Sequence, residues 1–182
     1  SGAVAMGLSA INQYVGLKDG QNTIKDYCDY VRNDLMGITR EDLVASIARH
    51  VDSTVHLFEK WGLPIWLDEK GAYVHEGRWQ LMINGESYKV IGAEAAKNAL
   101  AQNGHEYFER IFITHPLVEG GRCVGAVGFS VRENKFYVFK AKAVVLATGG
   151  IGRAYKVTSN SWEYTGDGHA LAYHAGADLI DM

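Results

Sequence analysis

The spacing of the apolar residues changes once along this chain, and that change limits the fold more than any other feature. Between residues 40 and 61, Leu43, Ile47, Val51, Val55 and Phe58 recur every three to four positions, the spacing of one helical face. From residue 107 onward the period falls to two. Residues 107–114, 122–132 and 135–140 read as strands, the last two joined as a hairpin at Glu133-Asn134. Residues 141–147, AKAVVLA, are apolar nearly throughout, the pattern of a strand buried on both faces. Helices before and after a block of strands predict an α/β chain with α+β elements and a β-hairpin or meander.

The remaining elements are read around this frame. Weak apolar spacing predicts a helix over 23–36, and alanine-rich spacing a helix over 86–101. For the helix over 40–61, Thr39 and Asp42 stand as a capping-box variant, with Gly62 at C′ and Pro64 beyond. Residues 63–83 read as a small hairpin or irregular strands carrying aromatics, with His75 and Glu76 in a turn. Trp61, Trp66 and Trp79 are assigned to the core or a domain seam. Residues 1–16, small and apolar, read as a loop entering a short helix. A final helix is placed over 168–175, closed by Gly176.

Composition removes several classes of function. A net charge of −3 gives no basic field for phosphodiester backbones, so nucleic acid is excluded as a partner. No run of 18 apolar residues occurs, so no transmembrane helix is expected. The two cysteines, Cys28 and Cys123, form no CxxC and suggest no disulfide framework, which fits a reducing, cytoplasmic setting. The seven histidines include no HExxH and no i,i+4 pair, so no metal site is expected. The chain has 21 glycines, which is about 12% against an average near 7%.

Some of those glycines carry chemistry. The strand over 141–147 ends in Thr148-Gly149-Gly150, where a ligand can approach backbone without meeting a Cβ. Thr165-Gly166-Asp167-Gly168 opens a helix, where free N–H groups favour an anionic partner. Asp167 is either the cap of that helix or a hydrogen-bond partner for ribose or ribityl hydroxyls. The small residues Ser1, Gly2, Ala5 and Gly7, with Met6, give a surface on which a planar ring can pack, or on which a helix can. No GxGxxG occurs, and Gly149-Gly150-Ile151-Gly152 does not meet its spacing, so a self-contained Rossmann phosphate site is missing.

Four stretches carry a resemblance: 1–12 (SGAVAMGLSAIN), 40–66, 73–89 and 125–150. Through them residues 1–150 resemble the α-subunit family of dissimilatory adenylylsulfate reductases, within the fumarate reductase/succinate dehydrogenase flavoprotein superfamily. The last 32 residues, from Ile151 onward, are more similar to succinate dehydrogenase or fumarate reductase flavoprotein subunits. The resemblance implies that residues 1–182 are the central part of a Rossmann-like FAD-binding domain with inserted helices. It also implies a fragment of a larger flavoprotein, incomplete at both ends and inactive in isolation.

The same resemblance implies roles. Ser1, Gly2, Ala5, Met6 and Gly7 would line the flavin, Asn12 would lie near its reactive edge, and Glu76 near the substrate channel. Asn12 and Glu76 are the catalytic candidates. Ala147, Thr148 and Gly149 would meet the adenosine half of FAD, and Asp167 matches the FAD-binding aspartate of the dehydrogenases. Gly2 stands where the dehydrogenases carry the histidine joined to flavin, so FAD would be non-covalent. The implied reaction takes adenylylsulfate and two electrons to AMP and sulfite, through a sulfite adduct at flavin N5. Electrons would come from a ferredoxin-like β subunit with two [4Fe–4S] clusters. The alternative substrate is a dicarboxylate, fumarate or succinate.

Overall fold

The computed structural model describes residues 10–12, 15–17, 22–180 and 182. The chain divides into two compact units at His105/Glu106.

The first unit holds β1 (Ala10–Asn12), α1 (Ile24–Asp34), α2 (Glu41–Ala48), α3 (Val51–Lys60), β2 (His75–Glu76), β3 (Gln80–Met82) and α4 (Gly85–Gln102). Helix α1 starts where a reciprocal cap allows it. Thr23 Oγ1 accepts from the Asp26 N–H at 3.1 Å, and the Thr23 N–H donates to Asp26 Oδ2 at 2.9 Å.

The single helix expected over 40–61 is two helices, broken at Arg49-His50. The His50 carbonyl accepts from Ser53 Oγ at 2.7 Å and Thr54 Oγ1 at 3.1 Å, while its N–H turns back to the Ile47 carbonyl. Short hydroxyl side chains that bond a carbonyl three or four residues back in this way weaken and bend helices. Thr39 is not the cap of α2. Arg40 occupies that position without capping the helix through its side chain, and its guanidinium holds Asp42 at 2.6 and 2.9 Å. The Gly62 reading holds, with φ at +85°.

Three short strands form an antiparallel sheet in the order β1–β3–β2. A strand therefore occupies 10–12, where a loop running into a helix was expected, and His75-Glu76 is a strand rather than a turn. Alternation sorts this sheet. Leu81, fully buried, pairs with Ile11 on one side and His75 on the other, and it packs with Leu17, Val55 and Tyr73. A second cluster joins Val15, Tyr27, Val44 and Ala48, with Trp79 against it. Trp79 stacks on Tyr30 at 5.0 Å and meets the edge of Tyr27 at 6.2 Å. Trp61 and Trp66 are not core residues: both are exposed, Trp66 at 51%. Helix α4, capped by Asn84, buries none of its residues.

The second unit is a meander followed by loops and one helix. Strands β4 (Ile111–Glu119), β5 (Arg122–Ser130) and β6 (Phe136–Lys140) are antiparallel in that order. The strand expected over 107–114 begins later and runs further. It passes through Pro116, which an edge strand tolerates because no ladder bond is required of its nitrogen. Phe112, Phe129 and Phe136 form one cross-strand row on one face. On the other, the Phe108 ring sits 6.0 Å from Tyr137 and 5.4 Å from Phe139.

The buried strand expected over 141–147 is absent. The segment has no regular structure and is exposed, Val145 at 88%. A strand exists only through its ladder, and among the described residues no strand pairs with this one. A 3₁₀ turn (Gly152–Ala154) and α5 (Asp167–His174) complete the unit.

Candidate functional site

The candidate residues fall into two groups, one in each unit. In the first, strand register assembles what the sequence left scattered. Asn12 pairs with Gln80 across β1 and β3, and Glu76 pairs with the same Gln80 across β2 and β3. Asn12, Gln80 and Glu76 thus occupy one cross-strand row, adjacent to the Ile11–Leu81–His75 row. Side chains alternate between faces along a strand, so burial of Leu81 leaves Gln80 outward. Gln80 and Glu76 are both exposed.

Gln80 was not among the residues singled out from sequence. It lies four positions after Glu76 across a tight turn at Gly77, whose φ is +62°. Only the register of that turn makes the two neighbours. Ser1, Gly2, Ala5, Met6 and Gly7 lie outside the described residues.

In the second unit the two glycine motifs meet. A Cβ added at Gly168 would collide with Thr148 Oγ1 and lie 2.9 Å from Thr148 Cβ. One at Gly166 would lie 2.6 Å from Ile151 Cγ1. Residues 148–151 and the start of α5 therefore pack so closely that side chains are excluded between them. Gly149, at φ +82°, turns the chain beside the Tyr164 ring.

A cavity of about 240 Å³ opens at this junction, lined by Leu146, Ala147, Thr148, Gly149, His169 and Ala172 among others. His169 Nδ1 is buried and has no hydrogen-bond partner among the described residues. Gly166 caps α5 in the left-handed conformation, so Asp167 is the first helical residue and not the cap. Its exposed carboxylate accepts from Thr165 Oγ1 at 2.6 Å. Ala147, Thr148 and Gly149 are brought to the cavity; Asp167, at the start of α5, is not among the residues lining it. Tyr164 and His169 were not foreseen, since neither lies in a glycine motif.

A cofactor with hydroxyls and small-group edges suits this junction. Its lining combines aliphatic side chains with Thr148, His169 and the backbone of Gly149, while the space beside Gly166 and Gly168 is taken by Ile151 and Thr148. Among the described residues no group of three or more His, Cys, Asp and Glu is placed to hold a metal ion. No described helix is long and apolar enough to cross a membrane.

Comparison with known proteins identifies the family. The FAD binding domain family matches residues 1–182, and the chain belongs to that family. FAD is the cofactor of this fold. Within it, the chain is 46% identical to the adenylylsulfate reductase subunit alpha of Megalodesulfovibrio gigas, over 96% of this chain and 28% of that protein. A solved structure of adenylylsulfate reductase from Archaeoglobus fulgidus superposes with a TM-score of 0.86 at 54% identity, covering 96% of this chain and 29% of that one. A fumarate reductase flavoprotein subunit of Mycobacterium tuberculosis is 43% identical over 78% of this chain and 25% of its own length. The chain therefore spans less than a third of the length of each of these three relatives.

Proposed function

We propose that this chain is part of the flavoprotein subunit of an adenylylsulfate reductase, which reduces adenylylsulfate by two electrons to AMP and sulfite. The observation that supports this most is similarity to such reductases at 46% and 54% identity over 96% of the chain. The bound FAD supplies the two-electron chemistry.

The chain's own residues position it. Ser1, Gly2, Ala5, Met6 and Gly7 pack against the isoalloxazine, which Gly2 leaves without a histidine to bond, so FAD is held non-covalently. Asn12 and Glu76 act at the reacting edge, and the register row adds Gln80 between them. The two carboxamides can donate to the oxygens of the phosphosulfate group, and the carboxylate can hold a cation beside it. Ala147, Thr148 and Gly149 meet the adenosine half, and Asp167 meets cofactor hydroxyls. The electron donor is a separate ferredoxin-like subunit with two [4Fe–4S] clusters, and the assembly is cytoplasmic.

A second reading rests on the last 32 residues and on the 43% identity to a fumarate reductase flavoprotein subunit. In it the same flavin domain serves fumarate or succinate. Steady-state assays of the complete subunit with its electron-donor partner separate the two. Adenylylsulfate-dependent formation of AMP and sulfite supports the first reading. Turnover of fumarate with none of adenylylsulfate sinks it.

A further inference from the structure

Asp52 ties down the chain that leaves β1, and its value to the reaction rests on the adenylylsulfate reading above, in which Asn12 acts at the reacting edge. Asp52 is the second residue of α3, just after the break at Arg49-His50. An acidic side chain in a first helical turn ordinarily serves its own helix, through the dipole or as a cap. Both oxygens of Asp52 are given to a distant segment instead. The Val15 N–H donates to Oδ1 at 2.7 Å and the Gly16 N–H donates to Oδ2, across separations of 37 and 36 residues. Two successive backbone N–H groups on one carboxylate make charge-assisted bonds, each roughly twice as strong as a neutral one.

The same short segment is held by packing on either side of those bonds. Val15 is buried with Tyr27, Val44 and Ala48, and Leu17 with Val55, Tyr73 and Leu81. Apolar contacts are non-directional, so they fix where the segment lies better than how far it slides. Hydrogen bonds are directional, and the pair to Asp52 allows one position along the chain.

That position matters because β1 is short. It has three residues, forms one edge of its sheet, and has Ile11 as its anchor to the core. A slip of one residue would turn Ile11 outward and take Asn12 out of the row it shares with Gln80 and Glu76. The bonds to Asp52 begin three residues beyond Asn12, at the first described residue after the strand.

We infer that Asp52 is a positioning residue of the reduction: by holding the Val15 and Gly16 amides it locks the register of β1, and so keeps Asn12 opposite Gln80 at the reacting edge.

The test uses the complete flavoprotein subunit with FAD bound and its electron-donor partner. Asp52→Asn keeps the shape but offers one acceptor oxygen and sets an NH₂ group against the other N–H. With adenylylsulfate, kcat and kcat/KM should fall together, about tenfold to a hundredfold, the mark of lost alignment rather than lost binding. Asp52→Glu, which keeps the charge and both oxygens, should regain most of the rate. Thr23→Ala, which weakens the α1 cap without touching the Asp52 bonds, should keep the wild-type kcat. Hydrogen exchange supplies a readout free of activity. The Val15 and Gly16 amides should exchange slowly in the wild type and at least about tenfold faster in Asp52→Asn. The Met82 amide, bonded to the Val74 carbonyl, should keep its protection in both.

A wild-type kcat in Asp52→Asn, or an equal loss in Thr23→Ala, overturns the inference and leaves the adenylylsulfate reading intact. If Asp52→Asn does not fold, wild-type exchange decides: protected Val15 and Gly16 amides support the lock, and free-peptide rates overturn it. A wild-type subunit that turns over fumarate and not adenylylsulfate sinks that reading instead. The register lock is then judged on exchange, where unchanged rates in Asp52→Asn overturn it.

Discussion

At the scale of single residues the molecule depends on atoms that are absent. Gly168 faces Thr148 with no room for a methyl group. Gly168→Ala should destabilise the second unit by about 1–3 kcal/mol through overpacking, read as a lower urea midpoint. Combining it with Thr148→Gly should recover part of the loss, a coupling that a double-mutant cycle measures. Leu81 makes the opposite case. It is fully buried between Ile11 and His75, and Leu81→Ala should cost about 2–5 kcal/mol. Glycine spacing made both halves of the Thr148/Gly168 junction visible in the sequence. It did not reveal His169 or Tyr164, because nothing local distinguishes a residue that closes a cavity from one that faces water. Gln80 was hidden for a related reason: its place beside Asn12 and Glu76 is a property of strand register, which is set by a turn and a long-range pairing.

At the scale of elements, capping and ion pairing decide where helices begin and how two of them are joined. The Thr23/Asp26 box should make Thr23→Ala cost about 1 kcal/mol, measurable as a shift in the thermal midpoint. Between α1 and α2, Arg32 holds Glu41 through Nε at 2.6 Å and a second nitrogen at 2.8 Å, and it also reaches Asp29 at 2.7 Å.

The Arg32 guanidinium keeps Glu41 below its ordinary carboxylate range. Lys25 first, and Arg32 after it, do the same for Asp29, and the Thr23 hydroxyl and N–H lower Asp26. A depressed folded-state pKa means that the unfolded chain takes up protons first as pH falls. The contribution is therefore complete above the ordinary range, near about pH 4–5, and is lost as pH drops through and below it. Any difference in thermal midpoint between Glu41→Gln and the parent chain at pH 7 should shrink toward zero by about pH 2. These side chains are exposed, so added salt should shrink it as well.

Helix positions were largely legible, because apolar spacing and alanine content are local signals. The break at His50 was not. Ser53 and Thr54 look like ordinary helix-surface residues until their hydroxyls are seen on the His50 carbonyl. Thr39 misled for the same reason, since a capping residue is recognised by type while the cap itself is a backbone geometry.

At the scale of the whole molecule, the α/β class was readable from the run of strands, and the FAD family from the resemblance carried by residues 1–12, 40–66, 73–89 and 125–150. The meander was found with its β5–β6 turn in place, although β4 starts four residues later than its pattern suggested. The segment 141–147 shows the limit of such reading. Its composition describes a strand with neighbours on both sides, and a sequence states that requirement without supplying the neighbours.

That segment also makes the molecule uneven in time. Its amides lack a ladder, whereas those of β5 lie between two paired strands. In deuterated water, residues 143–147 should lose their protons at nearly the rate of a free peptide while the interior of β5 retains them far longer. Mass spectrometry of the corresponding peptides reads that contrast. Equal protection of the two would mean that residues 143–147 have a partner strand in solution.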